Sequence, residues 1–206
     1  MIPAREALRA LRAGNQRFVS EQRRDDGGTT ARRRALIAQQ EPFAIILGCS
    51  DARVPAEIVF DQGLGDLFVI RVAGNIVAPS QVGSVEFAAE AFGTRLVVVL
   101  GHSNCGAIGA TLQQLARPWR EQSRNLSSIV DRIRPSVEDL LQGPPLAAAE
   151  LEHRAVRANI RMSADHLRHG SEVLEELIRR DGLLVVGAEY SMDSGVVEFF
   201  DGVPPD

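Results

Sequence analysis

Four short stretches of the chain are almost uninterrupted apolar runs: "FAIILG" (43–48), "LFVIRV" (67–72), "RLVVVLG" (95–101) and "LLVVGA" (183–188). They are rich in β-branched residues and too short for helices, so they predict strands buried on both faces. Such strands belong to a parallel sheet covered by helices on each side. The intervening segments switch to helical spacing. Ala4–Glu21 carries Leu8, Leu11 and Phe18 on roughly one face behind Pro3, and a break is expected at Asp25–Gly28. Further helices are predicted over Thr30–Gln39, over Ser84–Phe92 ending at Gly93, and over Ala107–Leu115. Leu146–Arg180 reads as two helices divided at Gly170. "VVEFF" (196–200) is a candidate fifth strand, antiparallel at an edge. The alternation predicts an α/β fold around a central, mostly parallel four-stranded sheet flanked by helices, with that antiparallel edge strand added. Arg117–Pro145, polar and proline-bearing, reads as a surface excursion. With no internal repeat, residues 1–206 form a single expected domain with an N-terminal helical arm at about 3–40.

Composition narrows the function classes. At 206 residues the chain can bury one substantial core, and its 45% hydrophobic and 24% charged content is ordinary for a globular protein. A net charge of −4 offers no field for nucleic acid or anionic membrane. The arginines at 23–24 and 32–34 read as solvated helix faces. No apolar stretch approaches the ~20 residues of a membrane span. The first residues lack the apolar core of a secretory signal, so a cytoplasmic location is expected. There are two cysteines, Cys49 and Cys105. In a cytosolic protein of this size they point to metal binding or catalysis before a disulfide.

Both sit where strands end. "FAIILG" runs directly into Cys49, "RLVVVLG" runs directly into His102, and Cys105 follows in the turn opening the next helix. In an open parallel sheet the carboxyl ends of the strands share one edge, where sites collect. Cys49, His102 and Cys105 are therefore expected to converge. Two thiolates and one imidazole suit Zn2+, and three protein ligands leave a fourth position for water, as in catalytic zinc sites. His153, His166 and His169 fall in charged helical stretches and read as surface residues. In "CSDARVP" (49–55), Asp51 and Arg53 lie two apart in a turn. A bidentate arginine would hold the carboxylate charged and away from coordination, leaving it to accept the proton of a zinc hydroxide. The rival reading of Cys49 as a thiol nucleophile predicts no stoichiometric zinc. Two buried cysteines and a strand-end histidine without chemistry would leave their shared placement unexplained.

With these segments in view the chain resembles the β-class carbonic anhydrases. "CSDARVP" and "GHSNCGAI" (101–108) are similar to the two signature segments of that family, and Asp51–Arg53 to its catalytic dyad. "DQGLGDLFVIRVAGN" and "SVEFAAEAFG" are similar to the family's intervening segments in order and spacing, so the resemblance spans roughly residues 5–200. It implies a zinc lyase that hydrates carbon dioxide reversibly to bicarbonate and a proton by zinc-hydroxide attack. It also implies a homodimer as the minimum unit, larger assemblies such as tetramers being common, with the active site near the subunit interface. The resemblance further assigns substrate contacts to Gln40, Phe68, Phe87 and Gly106. Phe87 stands where a tyrosine is frequent, so a hydroxyl contact is missing there. Ile46 replaces a tryptophan that some members associate with an inhibitory bicarbonate site. Since two thiolates cancel the formal charge of the metal, activity is expected to climb on the alkaline side of neutrality. The alternatives on the same scaffold are a carbon disulfide or carbonyl sulfide hydrolase and a non-catalytic zinc- or anion-binding protein.

Overall fold

In the computed structural model, which describes residues 2–24, 28–116 and 123–205, the apolar runs become strands at nearly the expected positions. They are β1 (Ala44–Gly48), β2 (Leu67–Arg71), β3 (Leu96–His102) and β4 (Leu184–Tyr190), with β5 (Val197–Asp201) completing the sheet. The order across the sheet is β2-β1-β3-β4-β5. All neighbours pair in parallel except β4 and β5, so the edge strand is antiparallel as predicted. The helices are α1 (Ala4–Val19), α2 (Thr30–Ala35), α3 (Ala56–Val59), α4 (Pro79–Ala91), α5 (Gly106–Ala116), α6 (Arg124–Gln142), α7 (Ala148–His169) and α8 (Glu172–Asp181).

Strand alternation splits the core into two layers. Ile45, Leu47, Val97 and Val99 face Ile133, Ile160, Leu167 and Leu174 on the helical layer built from α4 to α8. Ile46, Val98 and Leu100 point the other way, onto Leu8 and Leu11 of α1 and Phe60 beyond α3. Every residue of β1 and β3 is buried, which is why their sequences lack polar alternation. Each large aliphatic side chain so buried contributes about 1.5–3 kcal/mol. The first helix is docked by specific contacts as well. Asn15 Nδ2 donates to the carbonyls of Val59 (3.1 Å) and Gly195 (2.9 Å), and its Oδ1 accepts from Val197 N (2.9 Å). A Cβ at Gly14 would fall 1.8 Å from the Phe60 carbonyl, so only glycine permits this approach.

Several boundaries differ from the sequence reading. The helix predicted over Thr30–Gln39 stops at Ala35, and the one predicted from Ser84 starts at Pro79, where proline suits the first turn. Of the Arg117–Pro145 segment, residues 117–122 lie outside the described residues, as do 25–27 of the expected break. The remainder is no surface excursion. It forms α6, an amphipathic helix that buries Val130, Ile133 and Val137. Pro135 sits inside it on the exposed side, where water can satisfy the carbonyl that the proline leaves without its N–H. Among the described residues no helix is long and apolar enough to cross a membrane.

Candidate metal centre

β1 and β3 are neighbours in the sheet, and Gly48 pairs with Leu100 in register. The residues that follow, Cys49 after β1 and His102 at the tip of β3, therefore emerge side by side at the carboxyl edge. Cys105 precedes α5 and its carbonyl accepts the Gly109 N–H (2.9 Å), so it stands at the helix entrance. The two Sγ atoms and a ring nitrogen lie within 4.8 Å of one another, and all three residues are buried.

The residues present fit a metal on an observation independent of any motif. His102 Nδ1 sits 2.9 Å from the Ser103 carbonyl and donates to it, which leaves Nε2 as a lone pair. That Nε2 is buried without a hydrogen-bond partner. A cation held jointly with the sulfurs would satisfy it, and two soft thiolates with one imidazole form a donor set suited to zinc. The protonation of the cluster agrees. Cys49 is lowered, chiefly by the hydrogen bond from Cys105, then by the neighbouring His102 ring and the Asp51 and Gly74 backbone N–H groups, against its burial. The same bond and burial push Cys105 up. Burial of the His102 ring works to lower its pKa, but the neighbouring Cys49 sulfur and the Ser103 carbonyl outweigh it and the net direction is upward. A divalent cation would displace these shared protons.

Asp51 is not one of the converging donors. Its Oδ1 accepts from Arg53 N (3.0 Å) and Nε (2.9 Å), and its Oδ2 accepts from Arg53 Nη2 (2.8 Å). These bonds hold the carboxyl well below the usual range and raise Arg53 in return. Arg53 Nη2 also donates to the Asn104 carbonyl (3.3 Å), tying the dyad to the turn that carries Cys105. Sequence reasoning missed two backbone anchors. Arg71, at the end of β2, donates from Nε to the Cys49 carbonyl (2.9 Å) and from Nη2 to the Asp51 carbonyl (2.6 Å). Gly74, at a φ of +69°, donates its N–H to Cys49 Sγ (3.4 Å). A charged residue closing an otherwise apolar strand was the available signal for Arg71.

The remaining candidates fall into two groups. Gly106 adjoins Cys105, and a Cβ added to it would meet nothing within 4 Å, so this flank of the site is open. Phe68 and Phe87 pack together with Phe92, with ring centroids 5.5–6.2 Å apart. Gln40 is exposed in a depression that Phe92 borders along with Leu36 and Gly65, and the lining of that depression includes neither the cluster nor the dyad.

Residues 44–197, a span holding every cluster and dyad residue, match the family model described as "Carbonic anhydrase". The chain belongs to the carbonic anhydrase family. It is 36% identical to "Carbonic anhydrase 2" of Mycobacterium tuberculosis over 92% of this chain and 89% of that one. It is 35% identical to a carbonic anhydrase of Mycolicibacterium smegmatis over 93% and 91% of the two chains. Among solved structures it is similar to a β-carbonic anhydrase of the fungus Aspergillus fumigatus, with a TM-score of 0.74 and 26% identity over 84% of this chain and 82% of that one. The fold and the carbonic anhydrase assignment thus agree with the β class.

Proposed function

We propose that the protein is a zinc-dependent carbonic anhydrase interconverting carbon dioxide and water with bicarbonate and a proton. The observation that carries the reading is the placement of Asp51 beside three converging metal donors but locked to Arg53 instead of joining them. Cys49, His102 and Cys105 would hold the zinc, which supplies the Lewis acidity that makes water nucleophilic near neutral pH. Asp51 orients. Its two oxygens receive three N–H donors from Arg53, and Oδ2, with one of them, keeps acceptor capacity for a water proton. So acidic a carboxyl does not retain a proton at neutral pH, so the released proton passes to solvent buffer and not to Asp51. The open flank at Gly106 gives a small linear substrate its approach.

Gln40 and Phe87 complete the pocket in this reading through a second copy of the chain, acting as a homodimer or a larger assembly. Phe87 is 56% exposed and Ile37 82% exposed, an apolar surface of the kind a subunit covers. We place the enzyme in the cytoplasm, where both cysteines, free and buried, stay reduced as ligands. Stopped-flow hydration of carbon dioxide, measured with zinc content at pH 7 and above pH 8, tests the proposal. One zinc per chain with activity rising toward alkaline pH is expected. Stoichiometric zinc without hydration would make this a binding protein, and hydrolysis of carbonyl sulfide in its place would reassign the substrate.

A further inference from the structure

We propose that Asn159 and Ser163 of α7 are positioning residues of the metal centre, acting through the Ala73–Asn75 turn to aim the Gly74 N–H at Cys49. The proposal rests on the reading of Cys49, His102 and Cys105 as metal ligands. Both α7 residues are buried polar side chains on a helix face otherwise made of Ala155, Val156, Ile160, Ala164 and Leu167. Four residues apart, they project from the same side of the helix toward the same turn. Asn159 Nδ2 donates to the Gly74 carbonyl (2.8 Å), and Ser163 Oγ donates to the Asn75 carbonyl (3.0 Å).

The turn needs holding. Gly74 and Asn75 both adopt positive φ, +69° and +42°, and glycine by itself has little preference for that conformation over others. The Gly74 N–H lies in the peptide plane that precedes its Cα, so its direction relative to the Gly74 carbonyl is set by the two torsions at that Cα. The two side chains hold the carbonyls that follow that Cα, and the Asn75 N–H closes the turn onto the Val72 carbonyl (3.0 Å), which together restrict that freedom. The flanks leave no slack, since a Cβ on Gly74 would lie 2.9 Å from Ile133 Cδ1 and 3.1 Å from the Ala107 Cβ. The N–H so fixed meets Cys49 Sγ at 3.4 Å. A hydrogen bond to a ligating thiolate draws charge from the sulfur and orients its lone pairs, so it tunes how strongly the sulfur donates to a metal. α7 thereby reaches the centre without touching it.

The test reads the sulfur and not turnover alone. The zinc in the purified full chain is exchanged for Co(II), the sulfur-to-cobalt charge-transfer band is recorded, and zinc affinity is measured by competition with a chromophoric chelator. Asn159→Ala is expected to move the band to longer wavelength and weaken zinc binding about tenfold. Ser163→Ala is expected to shift it less in the same direction, and Ser163→Thr, which keeps the hydroxyl, to restore the wild-type band. Variants that melt at lower temperature while band and affinity stay at wild-type values would overturn the proposal and leave Asn159 and Ser163 with a purely structural role. Should Asn159→Ala fail to fold, the Ser163→Ala and Ser163→Thr pair decides the matter alone. Failure of the metal-ligand reading looks different: the wild type would take up no Co(II), or Cys49→Ser would leave its band unchanged, and the proposal would fall with it.

Discussion

Asp51, just beyond β1, and Glu189, near the tip of β4, stand at the same carboxyl edge of the sheet, and each faces cationic partners. Their surroundings push them in opposite directions. Asp51 is drawn down, first by the Arg53 side-chain hydrogen bonds. Glu189 is raised, first by burial, although His153 and Arg157 both act to lower it. Burial, the like charge of the nearby Glu198 and contact geometry together make the difference. Arg53 spends two guanidinium nitrogens and its backbone N–H on one carboxylate. Arg157 divides itself: its Nη2 donates to Glu198 (2.7 Å), its Cζ lies 3.9 Å from the centre of the Phe200 ring, and its Nε, 3.7 Å from Glu189, is buried without a hydrogen bond. His153 Nε2 lies 3.4 Å from the Glu189 carboxylate. An imidazole and a divided arginine at ion-pair range offset the burial of Glu189 less than one bidentate arginine offsets that of Asp51, because aligned hydrogen bonds add to the attraction of charge.

The largest effect should follow from breaking the aligned pair. Arg53→Lys keeps the charge but cannot span both carboxylate oxygens, so Asp51 loses its fixed orientation. Hydration of carbon dioxide is expected to fall about 10²–10³-fold while zinc stays stoichiometric. Wild-type turnover in that variant, measured by stopped flow, would contradict the role given to the dyad. A loss of zinc would show that Arg53 supports the ligands and not only Asp51.

A smaller effect is expected from removing a divided cation. Arg157→Ala takes away the partner of Glu198 and one of the two groups that lower Glu189. It also removes the nearer of two guanidinium groups over the Phe200 ring, the other being that of Arg161. Stability at pH 7 should drop by about 1–3 kcal/mol, the range for leaving buried polar groups unpaired. Denaturant titration checks the loss, and adding Glu189→Gln should recover part of it, since the double variant has no buried charge to compensate. Equal losses in the single and double variants would locate the effect in the Phe200 stacking.

This contrast also marks what the sequence discloses. Strands β1 to β4 were legible because burial on both faces writes a continuous apolar run. Cys49, His102 and Cys105 were legible because reactive residue types follow directly from those runs. Asp51 and Arg53 lie two apart, so their contact was local and their spacing readable. Arg71, Gly74 and Asn159 act through hydrogen bonds that have a backbone atom on one side and a partner that only the tertiary fold brings near, and their residue types name no partner. Two traces were available: Arg71 closes an otherwise apolar strand, and Asn159 and Ser163 interrupt the apolar face of α7. α6 was hidden because Pro135 and a polar surround outweighed the spacing of Val130, Ile133 and Val137, a spacing that fits a helix face.

The gentlest variant, Glu189→Gln, addresses the raised carboxyl directly. A carboxyl whose folded pKa lies above its ordinary value, 4.5 for glutamate, binds protons more readily folded than unfolded. Its stabilising contribution is therefore complete below that ordinary value and is lost as pH rises through the folded one. Asp51 has the opposite sign: its contribution is present above its ordinary 3.8 and is lost only in stronger acid, so the two carboxyls do not titrate in the same window. The wild type should thus lose stability between about pH 4.5 and neutrality by an increment that Glu189→Gln lacks. The comparison is made on denaturant midpoints of both proteins at pH 4.5 and pH 7, with carbon dioxide hydration expected unchanged because Asp51, Arg53 and the metal donors are untouched. Identical pH dependence in the two proteins would mean that His153 and Arg157, despite their looser contacts, compensate Glu189 as fully as Arg53 compensates Asp51, and the distinction between aligned and divided cations would fail.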